Sequence, residues 1–126
     1  MSSDENKNVI LRWFEAVNNG NMPELDKLAD ELFTPDFMEH DPRMPDFEPG
    51  PAGVKKFIRE VRSEYTGIHV IVHDIFEQGD KAAYRFTLSM MDATSRDPVD
   101  VQLLAIARFV GGQIAEEWEL GVRGVW

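Results

Sequence analysis

The chain has 126 residues, 43% of them hydrophobic and 10% aromatic, which suits one globular domain spanning residues 1–126 and leaves no room for a second. A formal charge of −10 repels phosphate and anionic lipid, so we expect neither nucleic acid nor a membrane surface as a partner. There is no cysteine for a disulfide or a thiolate, which is compatible with any location. A basic leader and an apolar run of about 20 residues are both missing, so a cytoplasmic protein is the default expectation.

Three segments with apolar residues at helical spacing predict three helices. Ser2 and Glu5 form a capping-box pattern at the start of the first helix, and Asn21 can cap the second. Gly67 is placed to end the third. The apolar positions are Val9, Ile10, Trp13, Phe14 and Val17 in the first helix; Leu25, Leu28, Ala29, Leu32 and Phe33 in the second; and Val54, Phe57, Ile58, Val61 and Tyr65 in the third.

The segment between the second and third helices, residues 34–53, contains five prolines and is expected to form at most a short edge strand. From residue 68 the apolar period changes from helical to two. Turn signals at Gly79-Asp80 and Gly111-Gly112 separate the predicted strands. These strands are residues 68–77, 81–91, 101–110 and 113–120.

Helices followed by strands predict an α+β fold, with three N-terminal helices packed on one face of a curved antiparallel sheet. In residues 81–91 the apolar side chains occupy the even positions, which gives that strand one face towards an apolar interior. The open end of such a cone suits a small molecule.

Several stretches carry a family resemblance, in order and over nearly the whole chain. They are "ENKNVILRWFEAVNNGNMPELDKL", "FTPDFMEHDP", "GPAGVKKFIREVRSEY", "FEQGDKAAYRFTL" and "GGQIAEEWEL". With them the chain resembles the SnoaL-like polyketide cyclases, within the group similar to nuclear transport factor 2 and ketosteroid isomerase. The resemblance implies the cone-shaped, cystatin-like fold and acid-base chemistry on small hydrophobic molecules. It also implies no cofactor or metal, and homodimers that pair through the open sheet face.

The stretch "FMEHDP" holds the first catalytic candidates. By resemblance, Asp41 matches the general base of ketosteroid isomerase, and His40 matches a histidine typical of SnoaL-like sequences. At the mouth of an apolar pocket, desolvation would raise the pKa of Asp41 towards the range of a useful base. The alternative is that Asp41 is a turn residue before Pro42 and that His40 is partly exposed.

The stretch "EEWEL" holds the second pair, Glu117 and Glu119. By pattern alone, these glutamates would be solvated while Ile114, Trp118 and Leu120 pack inward. By resemblance the glutamates point into the cone, where two close carboxyl groups would separate their pKa values and let one keep a proton at neutral pH.

Three features count against a full transfer of family chemistry. The tyrosine and the protonated acid that bind the enolate oxygen in ketosteroid isomerase are matched by Trp13 and Ala105. "GVRGVW" stands where catalytic cyclases carry a further aspartate, and "MMDATSRDPVD" replaces a glycine-rich rim segment. Trp13 then orients a ligand oxygen or simply belongs to the core.

Other polar residues are given structural roles. His69 and His73, four apart on a strand, are separated by roughly 13 Å, too far for one metal ion. Arg85 and Arg108 are expected on the sheet face opposite the pocket, in salt bridges or dimer contacts. Epoxide hydrolysis, which on this fold uses an arginine between two aspartates, is therefore ranked below cyclase chemistry.

Three functions remain open at this stage: a cofactor-independent cyclase or isomerase, a small-ligand binding module without turnover, and a module for dimerisation or protein interaction. The enzyme hypothesis uses Asp41 or His40 as base and Glu119 or Glu117 as acid. The residues expected to contact the ligand are Trp13, Val17, Phe37, Phe57, Val61, Tyr84, Phe86, Leu88 and Met90.

Overall fold

A computed structural model describes residues 5–126, and the capping box predicted at Ser2 lies outside the described residues. Each predicted helix and strand is present, but Phe33 and Tyr65, assigned to the second and third helices, are each the first residue of a strand. The helices are α1 (Glu5–Asn19), α2 (Met22–Leu32) and α3 (Gly50–Glu64). The strands are β1 (Phe33–His40), β2 (Tyr65–Gln78), β3 (Lys81–Asp92), β4 (Pro98–Val110) and β5 (Gln113–Arg123).

Three helices pack on one face of a curved five-stranded sheet, so the predicted α+β architecture is confirmed. The strand order is β1-β5-β4-β3-β2, and the sheet is not closed. One detail of the prediction is corrected: β1 runs parallel to β5, so the sheet is mixed and not purely antiparallel. The parallel pair arises because the connection from β1 to β2 passes through α3, which returns the chain to the opposite edge of the sheet.

Of two sequence signals for helix ends, Asn21 has its predicted role and Gly67 does not. Asn21 caps α2 as predicted, since its side chain accepts a hydrogen bond from the backbone N–H of Glu24 at 2.9 Å. Gly67 does not end α3, which stops at Glu64. Gly67 instead lies within β2 with φ +62°, where the register with β3 shifts. A glycine tolerates this left-handed conformation, so it serves a β-bulge and not a helix terminus.

The inner face of the sheet, on which the helices pack, carries the core. The predicted even positions of β3 turn inward, with Tyr84 and Phe86 only 3% and 4% exposed. The opposite face, which we call the outer face, carries no helix among the described residues, but the C-terminal residues cover part of it, since Gln102 donates to the Gly124 carbonyl and Trp126 lies against Arg85. Within residues 5–126, no helix combines the length and the apolar character needed to cross a membrane.

A bulge near the start of β5 fixes which side chains of that strand point inward. Phe109 pairs with Ile114, but Arg108 pairs with Glu116, so Ala115 is one extra residue on β5. An extra residue reverses the alternation of side chains beyond it. Ile114 is therefore buried before the bulge, whereas Glu117 and Glu119 point inward after it and Leu120 is 63% exposed.

Candidate functional site

An apolar cavity of about 280 Å³ lies between the inner face of the sheet and the helices. Aromatic and aliphatic side chains form its walls, and a group of carboxyl groups forms one end. All nine side chains expected to contact a ligand line this cavity: Trp13, Val17, Phe37, Phe57, Val61, Tyr84, Phe86, Leu88 and Met90.

Three carboxyl groups converge at the polar end of the cavity. One oxygen each of Glu39, Glu117 and Glu119 lies within 4.8 Å of the others. Glu39 and Glu117 are register partners on the parallel strands β1 and β5. Ala105 and Ala107 of β4 pair with Glu119 and Glu117. These small side chains leave the space across the sheet that the glutamates occupy.

Glu39 and Glu117 are joined by a hydrogen bond, and Glu117 also accepts one from Tyr84. The Tyr84 hydroxyl donates to Oε2 of Glu117 from two strands away. Burial raises the pKa of Glu117, although the hydrogen bonds from Tyr84 and Glu39 to its carboxylate oppose the rise. Burial, together with the charges of Glu117 and Glu119, raises the pKa of Glu39 to about 12. Glu39 is therefore the protonated partner and Glu117 the carboxylate that accepts.

Glu119 is the second neutral acid of the group. Burial, and then the charges of Glu117 and Asp41, raise the pKa of Glu119 well above its ordinary value. Its side chain is only 12% exposed, and its protonated carboxyl group donates a hydrogen bond to Asp41. The expected pocket orientation of Glu117 and Glu119 is thus found, and the pattern that placed them in solvent fails because of the bulge at Ala115.

Asp41 lies beside the glutamates and does not line the inner cavity, and its electrostatic environment differs from the expected one. Its side chain is fully buried and forms a two-point ion pair with Arg43, with Nη2 to Oδ2 at 2.6 Å. Burial alone would raise the pKa of Asp41, but the hydrogen bonds and the charge of Arg43 outweigh it and lower the pKa. The expected upward shift is therefore wrong, because the sequence did not reveal this cation as the partner of Asp41.

His40 points away from the three glutamate carboxyl groups of the cavity. Its neighbours along β1, Phe37 and Glu39, are of opposite parity and face inward, so His40 emerges on the outer face. There Nε2 lies 2.6 Å from Oε2 of Glu116, and the ring stacks on Trp118 with centroids 5.4 Å apart. His40 therefore does not line the inner cavity with Glu117 and Glu119, although it lines an open groove together with Asp41 and Glu119.

The residues given structural roles are found in such roles. Arg85 pairs with Asp74 at 2.6 Å and Arg108 with Glu116 at 3.1 Å, both on the outer face as expected. His73 contacts the Thr87 hydroxyl at 2.7 Å. An open groove of about 820 Å³, larger than the inner cavity, opens on the outer face, where its charged residues His40 and Arg85 are paired, and it is also lined by Glu39, Asp41 and Glu119. The main groove-lining apolar residues are Phe76, Leu104, Ile106, Trp118 and Leu120.

Sequence reasoning missed two residues of the site, Glu39 and Arg43. For Glu39 a signal existed, because period-two alternation from the aromatic Phe37 puts residues 37, 39 and 41 on one face. No comparable signal existed for Arg43, which lies in the loop after β1.

The three glutamate oxygens also form the arrangement in which a hard cation could be held. Such an ion requires ionised ligands, whereas burial and mutual repulsion here favour protonated carboxyl groups, as the raised pKa values of Glu39 and Glu119 indicate. The absence of a metal and of a cofactor remains a prediction.

Comparison with known proteins identifies the family. The sequence pattern of the SnoaL-like domain matches residues 10–117, so the chain belongs to the SnoaL-like family. No curated protein matches it at the sequence level.

Several solved structures share the fold over nearly the whole chain. TsrD from Streptomyces laurentii is 22% identical with a TM-score of 0.80, covering 96% of this chain and 90% of that one. IdmH from Streptomyces antibioticus, considered a polyketide cyclase, is 22% identical with a TM-score of 0.77, covering 92% and 91%. A protein of ketosteroid isomerase-like fold from Catenulispora acidiphila, solved with trimethylamine, is 16% identical with a TM-score of 0.75, covering 88% and 82%. Likeness at these identities establishes the fold alone.

Proposed function

We propose that this SnoaL-like protein is a cofactor-independent enzyme of the cyclase or isomerase type that enolises a small hydrophobic carbonyl compound. The carrying observation is the group of Glu39, Glu117 and Glu119 at the end of an apolar cavity. Raised pKa values let carboxyl groups act as proton donors near neutral pH, while a neighbouring ionised group acts as base.

In this proposal Glu117 is the base and Glu119 the acid. The Glu117 carboxylate, oriented by Tyr84, takes a proton from the carbon beside the substrate carbonyl. Glu119 gives its proton to the carbonyl oxygen, so the substrate becomes an enol. The enol then attacks a second carbonyl and closes a ring, whereupon its hydroxyl proton returns to Glu119 and the proton on Glu117 passes to the new alkoxide. Alternatively, the enol takes the proton of Glu117 at another carbon and returns its hydroxyl proton to Glu119, which moves a double bond. Both outcomes are redox-neutral.

The missing donors at Trp13 and Ala105 do not remove the possibility of enolate stabilisation. Ala105 pairs across the strands with Glu119, so an acid carried by β5 lies beside the position where ketosteroid isomerase carries one on β4. In addition, Oε1 of Glu39 is buried without a hydrogen-bond partner among the described residues. A polar group of the ligand could satisfy that atom.

The test follows exchange of the protons next to a carbonyl. Mono- and bicyclic ketones such as 1-tetralone are incubated in D₂O and followed by ¹H NMR, against the rate without protein. We expect saturable catalysis that Glu117→Gln lowers at least about 100-fold. Glu116→Gln is the matched control, since this neighbouring side chain pairs with His40 on the outer face. Equal exchange by wild type and Glu117→Gln would contradict the assignment.

A binding module without turnover is separated from an enzyme by tryptophan fluorescence. Trp13 lines the cavity and Trp118 lies on the outer face. Saturable quenching by a ketone that is lost in Trp13→Phe, kept in Trp118→Phe and accompanied by no exchange would favour the binding module.

Epoxide hydrolysis is the second candidate, because Arg43 lies between Asp41 and Glu119. Its guanidinium binds Asp41 at 2.6 Å and lies 3.7 Å from Glu119. Asp41 would take a proton from water, the water oxygen would attack an epoxide carbon, and Glu119 would protonate the departing oxygen to give a diol. Incorporation of ¹⁸O from labelled water into the diol of 1-methylcyclohexene oxide tests this reaction. Asp41→Asn should abolish this reaction.

A further inference from the structure

Gly121 is a glycine whose backbone does not require one. It lies on β5 two residues after Glu119, and it is not among the glycines with positive φ. What the position requires is space. A Cβ there would lie 2.6 Å from Nη1, 2.8 Å from Cζ and 3.0 Å from Nη2 of Arg43. Any larger residue would therefore displace the guanidinium group.

The guanidinium that rests on Gly121 is fixed on its other side by Asp41. Nε of Arg43 donates to Oδ1 at 3.0 Å and Nη2 donates to Oδ2 at 2.6 Å. The backbone N–H of Arg43 donates to Oδ1 at 2.9 Å, so the loop itself is held in the same geometry. The arginine thus has one place, between a glycine of β5 and a buried carboxylate that follows β1.

We propose that Arg43, seated on Gly121, is a positioning residue with two effects: it keeps Asp41 ionised, so that Asp41 accepts a hydrogen bond from Glu119, and it balances the charge that Glu119 gains on giving its proton to the carbonyl oxygen. The inference deepens the proposed function and depends on the acid role of Glu119. It assigns to Gly121 the task of leaving room for that cation.

The charges around Asp41 explain why a cation is needed. Glu39 faces it from β1 and Glu117 and Glu119 face it from β5, all acidic, while Arg43 supplies the positive charge from the loop. If Glu119 released its proton without Arg43, two adjacent buried carboxylates would be left without a cation beside them. Repulsion at such distances strongly disfavours the second charge.

A simple alternative is that the Asp41–Arg43 pair only fastens the loop. A fastening role predicts that displacing the arginine lowers stability and raises the pKa of Asp41, its direct partner, but leaves the midpoint of Glu119 unchanged. The positioning role predicts that the midpoint of Glu119 rises as well.

The experiment is a pH titration of the side-chain carboxyl carbons of Asp41 and Glu119 by ¹³C NMR, in wild type, Gly121→Ala and Val122→Ala. Val122 is the matched control, because it follows Gly121 on β5 and is 72% exposed on the outer face. In Gly121→Ala we expect both midpoints to rise, that of Asp41 by about one unit or more, since an adjacent arginine lowers an aspartate pKa by about 1–3 units. Val122→Ala should match wild type.

An unchanged Glu119 midpoint in a folded Gly121→Ala protein would overturn the proposal, whether or not the midpoint of Asp41 moves. Arg43→Gln is titrated in parallel and carries the same expectation if the alanine variant does not fold. Because the titration uses no ligand, it can support the Arg43 role when no ketone is exchanged, and it can fail when exchange by Glu117 is observed.

Discussion

At the scale of single residues, this site is distinguished by buried carboxyl groups that keep their protons in an apolar cone. The ordinary pKa of a glutamate is 4.5, but that of Glu39 is about 12. The folded chain therefore holds a proton here that the unfolded chain releases above about pH 4.5. Stability from this group is complete below pH 4.5 and declines as the pH rises towards the folded value.

Glu39→Gln should remove this decline. Between pH 5 and 8 the free energy of unfolding of wild type should fall more steeply than that of the variant, by up to about 1.4 kcal/mol per pH unit for one proton. Urea unfolding at several pH values measures the two slopes. Glu60→Gln, on the exposed surface of α3, should keep the wild-type slope. Parallel curves for wild type and Glu39→Gln would show that Glu39 is ionised in the folded protein.

Tyr84→Phe removes one of the two donors that stabilise the Glu117 carboxylate. Loss of a hydrogen bond to the charged form raises a pKa, so the midpoint of the Glu117 carboxyl carbon in ¹³C NMR should move to higher pH. Tyr65→Phe, at the start of β2, should leave the midpoint unchanged. A downward shift in Tyr84→Phe would mean that the phenol accepts a proton from Glu117.

At the scale of elements, α2 shows how a local signal can suffice. Asn21 accepts a hydrogen bond from the N–H of Glu24, one of the donors at the helix start that lack a partner within the helix. Asn21→Ala should cost about 1 kcal/mol of stability, and Asn21→Ser should cost little, because serine retains the cap. Chemical denaturation of the three proteins compares them. Equal losses in both variants would indicate that the amide has a role besides capping.

Elements whose geometry is local could be predicted from sequence, and elements decided by distant contacts could not. The alternation from Ala82 to Met90 is visible in the sequence because each position depends only on its neighbours. The facing of Glu117 is different, since one extra residue at Ala115 reverses the alternation and no turn residue marks it. The position of Arg43 depends on Gly121, far along the chain. The family resemblance predicted the inward orientation of Glu117 and Glu119, because a match to family sequences includes the effect of the bulge without identifying it.

At the scale of the whole molecule, the outer face of the sheet remains to be explained. Phe76 is 69% exposed and Leu120 63% exposed, and their neighbours on this face include Leu104, Ile106 and Trp118. Exposed apolar surface of this continuity commonly marks a contact with another protein. We propose that a second copy of the chain covers it.

Light scattering coupled to size exclusion should then give about twice the chain mass of 14.4 kDa. Leu120→Lys should shift the mass towards one chain, because a charge would be buried in the contact. Leu11→Lys, on the exposed side of α1, should leave the dimer intact. A wild-type protein that remains a single chain at high concentration would exclude the dimer.

The bulge at Ala115 has a consequence for how such a protein can change over generations. Because β5 carries proton-transfer groups on one side and a candidate contact surface on the other, gaining or losing one residue upstream would exchange both surfaces in a single event. Insertions and deletions in this strand therefore cannot change either surface gradually. Ligand chemistry and self-association can therefore each change only through substitutions. Because the two surfaces use alternate residues of β5, these substitutions can change one surface without changing the other.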